Sequence, residues 1–153
     1  MNLERFYRDA QTQLLMSCRL RTSLVGTEAV IHVSVEGECD KEFRGHDFEE
    51  AMDALRRDFD AQGRLVLINR FRKEAFVTPM SRQMSNGLSC YLVEPRRPVD
   101  PSRLVACLDS AEERDVVSEH EARAFIACWP SEPPWNVRFP WLGWIKDLVR
   151  WPR

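Results

Sequence analysis

The chain has 153 residues, 44% of them hydrophobic and 30% charged, with a formal net charge of −2. That length and balance fit one soluble domain with a sizeable core, and the near-neutral charge gives no long-range attraction to nucleic acid. No apolar run approaches the ~20 residues a membrane helix needs, the first residues show no apolar signal core, and the five cysteines form no C-x-x-C pair, so a reduced, cytoplasmic setting without disulfides or zinc is expected.

Leu3, Phe6, Tyr7, Ala10 and Leu14 follow helical spacing and predict an amphipathic helix over 3–13. The period then changes. Leu14, Met16, Cys18, Leu20 and Leu24 alternate with Ser17, Arg19, Arg21 and Ser23, which predicts a strand with one wet face. After a turn at Gly26-Thr27, Ile31, Val33 and Val35 alternate with His32, Ser34 and Glu36, predicting a hairpin partner. Residues 37–46 read as polar and irregular.

Asp47 and Glu50 have the spacing of a capping box. Phe48, Ala51, Met52, Leu55 and Phe59 give the following helix an apolar stripe, and Gly63 is placed to close it. Leu65 to Ile68 is continuously apolar and predicts a central strand covered on both faces. Glu74–Val77 and Leu88–Val93 predict two short strands. Three prolines in 95–102 exclude an inner strand there, and Leu104–Leu108 predicts another buried strand. Ser118 and Glu121 form a second capping box before a helix with Ala122, Phe125, Ile126 and Trp129 on its buried face. The Trp/Pro-rich tail 131–153 has two main readings, beside a membrane-surface helix that its shortage of lysine disfavours. A short aromatic helix over 141–150 packs on a single domain of residues 1–130, or its tryptophans meet a partner.

The fold expected from this order is α+β: a mainly antiparallel sheet of five to six strands with helices on one face. The densest cluster of special residues lies between Phe76 and Val93. Pro79 ends a strand, Asn86-Gly87 turns the chain, and Met80, Ser81, Arg82, Gln83, Met84 and Ser85 form the loop between. The simpler reading makes Met80 and Met84 plugs for a gap in the core. The sharper one makes the loop a recognition element with Arg82 at its tip.

Catalytic and metal-binding patterns are missing from the sequence. His32 falls on the polar side of a strand, His46 before a helix cap and His120 between two glutamates, with no H-E-x-x-H. Ser81 and Ser89 lack a nucleophile-elbow context, and no phosphate-cradling glycine loop follows a strand. Neither enzyme activity nor a cofactor is therefore expected.

The acidic helix Asp47–Arg57, the strand ending at Asn69, the run Met80-Ser81-Arg82-Gln83-Met84 with Gly87 and Tyr91, and the later helix with Glu121, Arg123, Ala124, Phe125 and Trp129 together carry a resemblance. Over roughly residues 30–129 the chain resembles a family of small, largely uncharacterised bacterial proteins. These pair an Asn-Gly-Ala strand end with a Gly-Met-Ser/Ala-Arg-x-Met-Gly-x-Gly loop. The chain departs from that pattern at Phe71, Arg72 and Pro79. The family sits in secreted-toxin neighbourhoods, including type VI secretion. The resemblance implies a cytoplasmic immunity protein that binds a cognate toxin and covers its active site, without nucleic-acid or membrane partners. Candidate anchors are Arg82, Met84, Met80 and Asn86 on the loop and Trp135 and Trp141 in the tail. The alternative is a small-molecule or nucleotide site built from Asn69, Arg82 and Asn86-Gly87.

Overall fold

The computed structural model describes residues 2–95 and 97–129. Trp135, Trp141 and the helix expected over 141–150 lie outside the described residues.

The architecture is α+β, with two antiparallel sheets rather than one. Strands β1 (Asn2–Asp9), β2 (Leu15–Val25), β3 (Glu28–Val35), β4 (Lys41–Gly45) and β5 (Arg64–Val66) form a five-stranded sheet in the order β4-β3-β2-β1-β5. Strands β6 (Ala75–Phe76), β7 (Ser89–Leu92) and β8 (Leu104–Ala106) form the second, in the order β6-β7-β8. The helices are α1 (Phe48–Ala61), α2 (Pro79–Ser85) and α3 (Glu119–Cys128).

The segment expected to be a helix over 3–13 is strand β1. It pairs with β2 along seven residues, from Asn2↔Arg21 to Arg8↔Leu15, and with β5 on its other side. Its inward positions are Leu3, Arg5 and Tyr7. The helical spacing was coincidental: Phe6 faces solvent, whereas Arg5 turns inward and donates to the Leu108 carbonyl. Residues 41–45, expected to be irregular, form β4. Phe43 packs against the core there, while Glu42 and Arg44 face out.

The β2–β3 hairpin is as expected. Val25 pairs with Glu28 across Gly26-Thr27, and Gly26 adopts φ +64°, which an L side chain resists. Strand β5 is not central but at a sheet edge, paired only with β1. Its continuation is apolar for another reason. Val66, Leu67 and Ile68 are buried where the chain passes from the first sheet to the second, and Ile68 bridges to Ser110.

Helix α1 forms one wall of the core. Asp47 caps it by accepting the Glu50 N–H at 3.0 Å, and the stripe Phe48, Ala51, Met52, Leu55 and Phe59 is buried. Phe59 meets Tyr7 edge to face, with ring centroids 5.8 Å apart. The Ser118–Glu121 capping box opens α3. After α3, Trp129 packs on Phe76 and donates its indole N–H to the Arg97 carbonyl at 2.8 Å. One apolar cluster joins both sheets and α1. The outer face of β2, β3 and β4 is left polar.

Candidate functional site

The segment read as a loop between Thr78 and Asn86 is a capped helix. Thr78 is its N-cap: its hydroxyl accepts the Ser81 N–H at 3.0 Å, and the Thr78 N–H donates to Ser81 Oγ at 3.0 Å. Pro79 breaks the preceding strand and also opens the helix, since its missing N–H falls where no intrahelical partner exists. Asn86 ends α2 in the left-handed region, φ +52°. Its carbonyl accepts the Phe48 N–H at 3.0 Å, so the end of α2 meets the start of α1.

Helix formation decides which way each candidate side chain points. Ser81 is buried, and Ser85 donates to the Ser81 carbonyl. Met80 and Met84, four residues apart, share a neighbouring face turned to solvent, 69% and 82% exposed. They plug no gap in the core, which corrects the packing reading. Arg82 is not at a tip either. It folds back onto the N-terminus of α1, where its guanidinium bonds Asp47, reaches Glu50 Oε1 at 2.9 Å and lies 3.2 Å from Glu49 Oε2.

This clamp sets the protonation of its members. The Arg82 cation is stabilised chiefly by its hydrogen bond to Asp47. Burial pushes the Asp47 carboxyl up, but the Arg82 hydrogen bond and the helix N–H groups outweigh it and hold the group below the usual carboxylate range. Glu50 is also held low, first by the His46 N–H and then by Arg82. Burial raises Glu49, against the pull of Arg70 and Arg82. For Asp47 and Glu50 the folded state thus favours the ionised form. Their contribution to stability is complete above the ordinary carboxylate range of about 4 and is lost as pH falls through their lower folded values. Arg82→Ala should therefore cost about 1–2 kcal/mol at pH 7, the part-exposed clamp being discounted for solvent. It should cost distinctly less at about pH 3. Urea melts at the two pH values check this, and an equal loss at both would refute the clamp.

Glu49 also links the clamp to a neighbouring cleft of about 400 Å³ between α1 and α3. There Arg70 Nη2 approaches Glu49 Oε1 at 3.3 Å and Asp53 Oδ1 at 3.0 Å. The site of Asn69, Arg82 and Asn86 expected for a small molecule is not assembled as such. Asn69 is buried and donates its amide to the Ala106 carbonyl at 3.1 Å, Arg82 is held by carboxylates, and Asn86 serves the helix–helix junction.

Among the described residues no group of three or more His, Cys, Asp or Glu is arranged to hold a metal ion, and no helix is long and apolar enough to cross a membrane. Sequence reasoning missed the carboxylate partners of Arg82, which lie more than thirty positions upstream. It also missed a polar contact across β2, β3 and β4 that joins Ser23, His32 and Glu42. No family model matches the chain, and no curated protein matches it in sequence.

Proposed function

We propose that the protein is a cytoplasmic binding protein that neutralises a cognate bacterial toxin by covering its active site, with Met80 and Met84 as the central anchors. The supporting observation is an exposed methionine pair on a helix fixed at both ends. Exposed methionines in register make an adaptable apolar patch. The Thr78–Ser81 box, the Asn86–Phe48 bond and the Arg82 clamp order the helix before any partner arrives, which lowers the entropic cost of association. Glu50 and Asp53, both part-exposed, supply a charged rim. The link to a toxin comes from the resemblance described above.

The test is co-expression with any secreted toxin encoded beside this gene, combined with a binding titration. The wild type is expected to protect cells and bind the toxin. Met80→Asp with Met84→Asp should weaken binding by at least about 30-fold, since a central anchor contributes about 2 kcal/mol or more. The melting temperature should hardly change, because neither side chain is packed. Full protection by the double variant would remove the methionines from the interface; failure of the wild type to bind any such toxin would overturn the function.

A further inference from the structure

The polar outer face of the five-stranded sheet carries a second, unrelated arrangement. Strand alternation puts Ser23 of β2, His32 of β3 and Glu42 of β4 on the same side. His32 lies directly opposite both Arg21 and Glu42, and Ser23 lies one diagonal step away, beside Val30. The side chains connect: Ser23 Oγ is 3.0 Å from His32 Nε2, and His32 Nδ1 is 3.1 Å from Glu42 Oε1. The second carboxylate oxygen of Glu42 accepts from Arg44 Nη2 at 2.9 Å, and Arg44 Nη1 reaches Glu28 at 3.3 Å. Arg44 thereby keeps Glu42 ionised, with its carboxyl below the usual range.

An ionised Glu42 accepts a hydrogen bond from Nδ1–H of a neutral imidazole, which leaves the Nε2 lone pair facing the Ser23 hydroxyl. A nucleophile, a base and an orienting carboxylate in that order are what hydroxyl activation requires. A cleft of about 480 Å³ adjoins His32 and Glu42, with Arg19, Arg21 and Asp40 also in its wall, and Ser23 lies at its margin, within hydrogen-bond distance of His32. Among the described residues neither Arg19 nor Arg21 makes a close ion pair, although the Arg21 charge helps to hold the Glu42 carboxyl low, so Arg19 is the guanidinium most available to an anion.

We propose that Ser23 is a nucleophile, with His32 as its general base and Glu42 as the positioning residue, in a site for small esters that carry a negative charge. Ser23 Oγ forms a bond to the ester carbonyl carbon while its proton passes to His32 Nε2. The carbonyl π pair moves to oxygen. The Arg21 guanidinium, directly opposite His32 on the same face, is the donor that meets this oxyanion. Collapse breaks the ester C–O bond, and the imidazolium returns its proton to the departing alkoxide. Water then attacks the acyl-serine by the same route, releasing the acid and restoring Ser23. Arg19 holds the charged end of the substrate.

A fluorophosphonate probe, followed by intact mass and peptide mapping, tests this on the wild-type chain. The expected result is one adduct, on Ser23. Labelling should be at least about 100-fold slower in His32→Gln, the usual loss when a general base is removed. It should also slow in Glu42→Gln and recover in Glu42→Asp, whereas a merely structural role would leave the rate unchanged. A 4-nitrophenyl ester bearing a free carboxylate should be hydrolysed faster than 4-nitrophenyl acetate, and Arg19→Ala should remove that preference. An unlabelled Ser23 in the wild type overturns the proposal whether or not the variants fold, and so does labelling of folded His32→Gln at the wild-type rate. Met80→Asp with Met84→Asp should not change labelling, so this site and the toxin-binding surface succeed or fail separately.

Discussion

Arg56→Ala is expected to lower stability by about 3–4 kcal/mol, since removing one partner from a buried charge network strands the others. Arg56 is 4% exposed. Its guanidinium donates to the Val117 carbonyl at 2.6 Å, lies 5.1 Å from the Phe71 ring centroid and faces Asp60 at 3.9 Å. Asp60 in turn accepts the Glu119 N–H at 2.8 Å, at the start of α3. One side chain of α1 thus ties down both the chain around Phe71 and the foot of α3. For a domain of this size the loss corresponds to a fall in melting temperature of about 8–12 °C. Arg56→Met keeps most of the apolar bulk and should lose about half as much. Urea unfolding of the two variants checks the order; a loss below about 1 kcal/mol for the alanine variant would show that Arg56 is not a keystone.

Gly87→Ala should be comparably severe, about 3 kcal/mol. Gly87 has φ +80°, where an L residue costs about 1–2 kcal/mol. A Cβ there would also sit 2.5 Å from the Glu49 backbone nitrogen and 3.1 Å from Glu49 Cβ, an overlap that forces backbone movement. The turn after α2 would be pushed off the first turn of α1, and the Asn86–Phe48 bond and the Arg82 clamp would be disturbed with it. Gly26→Ala is the control. Gly26 has a similar φ of +64° but nothing within 4 Å of the added Cβ, so only the conformational cost of about 1 kcal/mol applies. Equal losses at the two glycines would mean that contact with α1 contributes nothing.

These two positions also show what a sequence can and cannot reveal. Gly87 was legible as a turn residue, but the closeness of Glu49 was not, because the two are far apart in the chain. Helix α1, the β2–β3 hairpin and α3 could be read directly, since apolar period, caps and turn residues agreed in each. Strand β1 was hidden because Arg5 faces inward and Phe6 outward, against the usual preference. Helix α2 was hidden behind Pro79, which reads equally as a strand stop and as a first helical residue. The spacing of Met80 and Met84 was visible, but their exposure depended on α2 existing. The Ser23–His32–Glu42 contact needed a strand at 41–45 and its register against β3, and neither could be seen in a stretch so polar.

The placement of Arg5 bears on how the chain assembles. Strand β1 leaves the ribosome well before β5 and the Leu108 carbonyl that complete its surroundings. The meander β1–β4 relies on neighbouring pairings and can form early, whereas closure of the core waits for chain some hundred residues downstream. Until α1 follows, Tyr7 lacks the Phe59 ring that packs on it, and the Arg5 side of β1 stays open longer still. The nascent protein therefore passes through a stage with an open apolar sheet face, the kind of surface that chaperones hold.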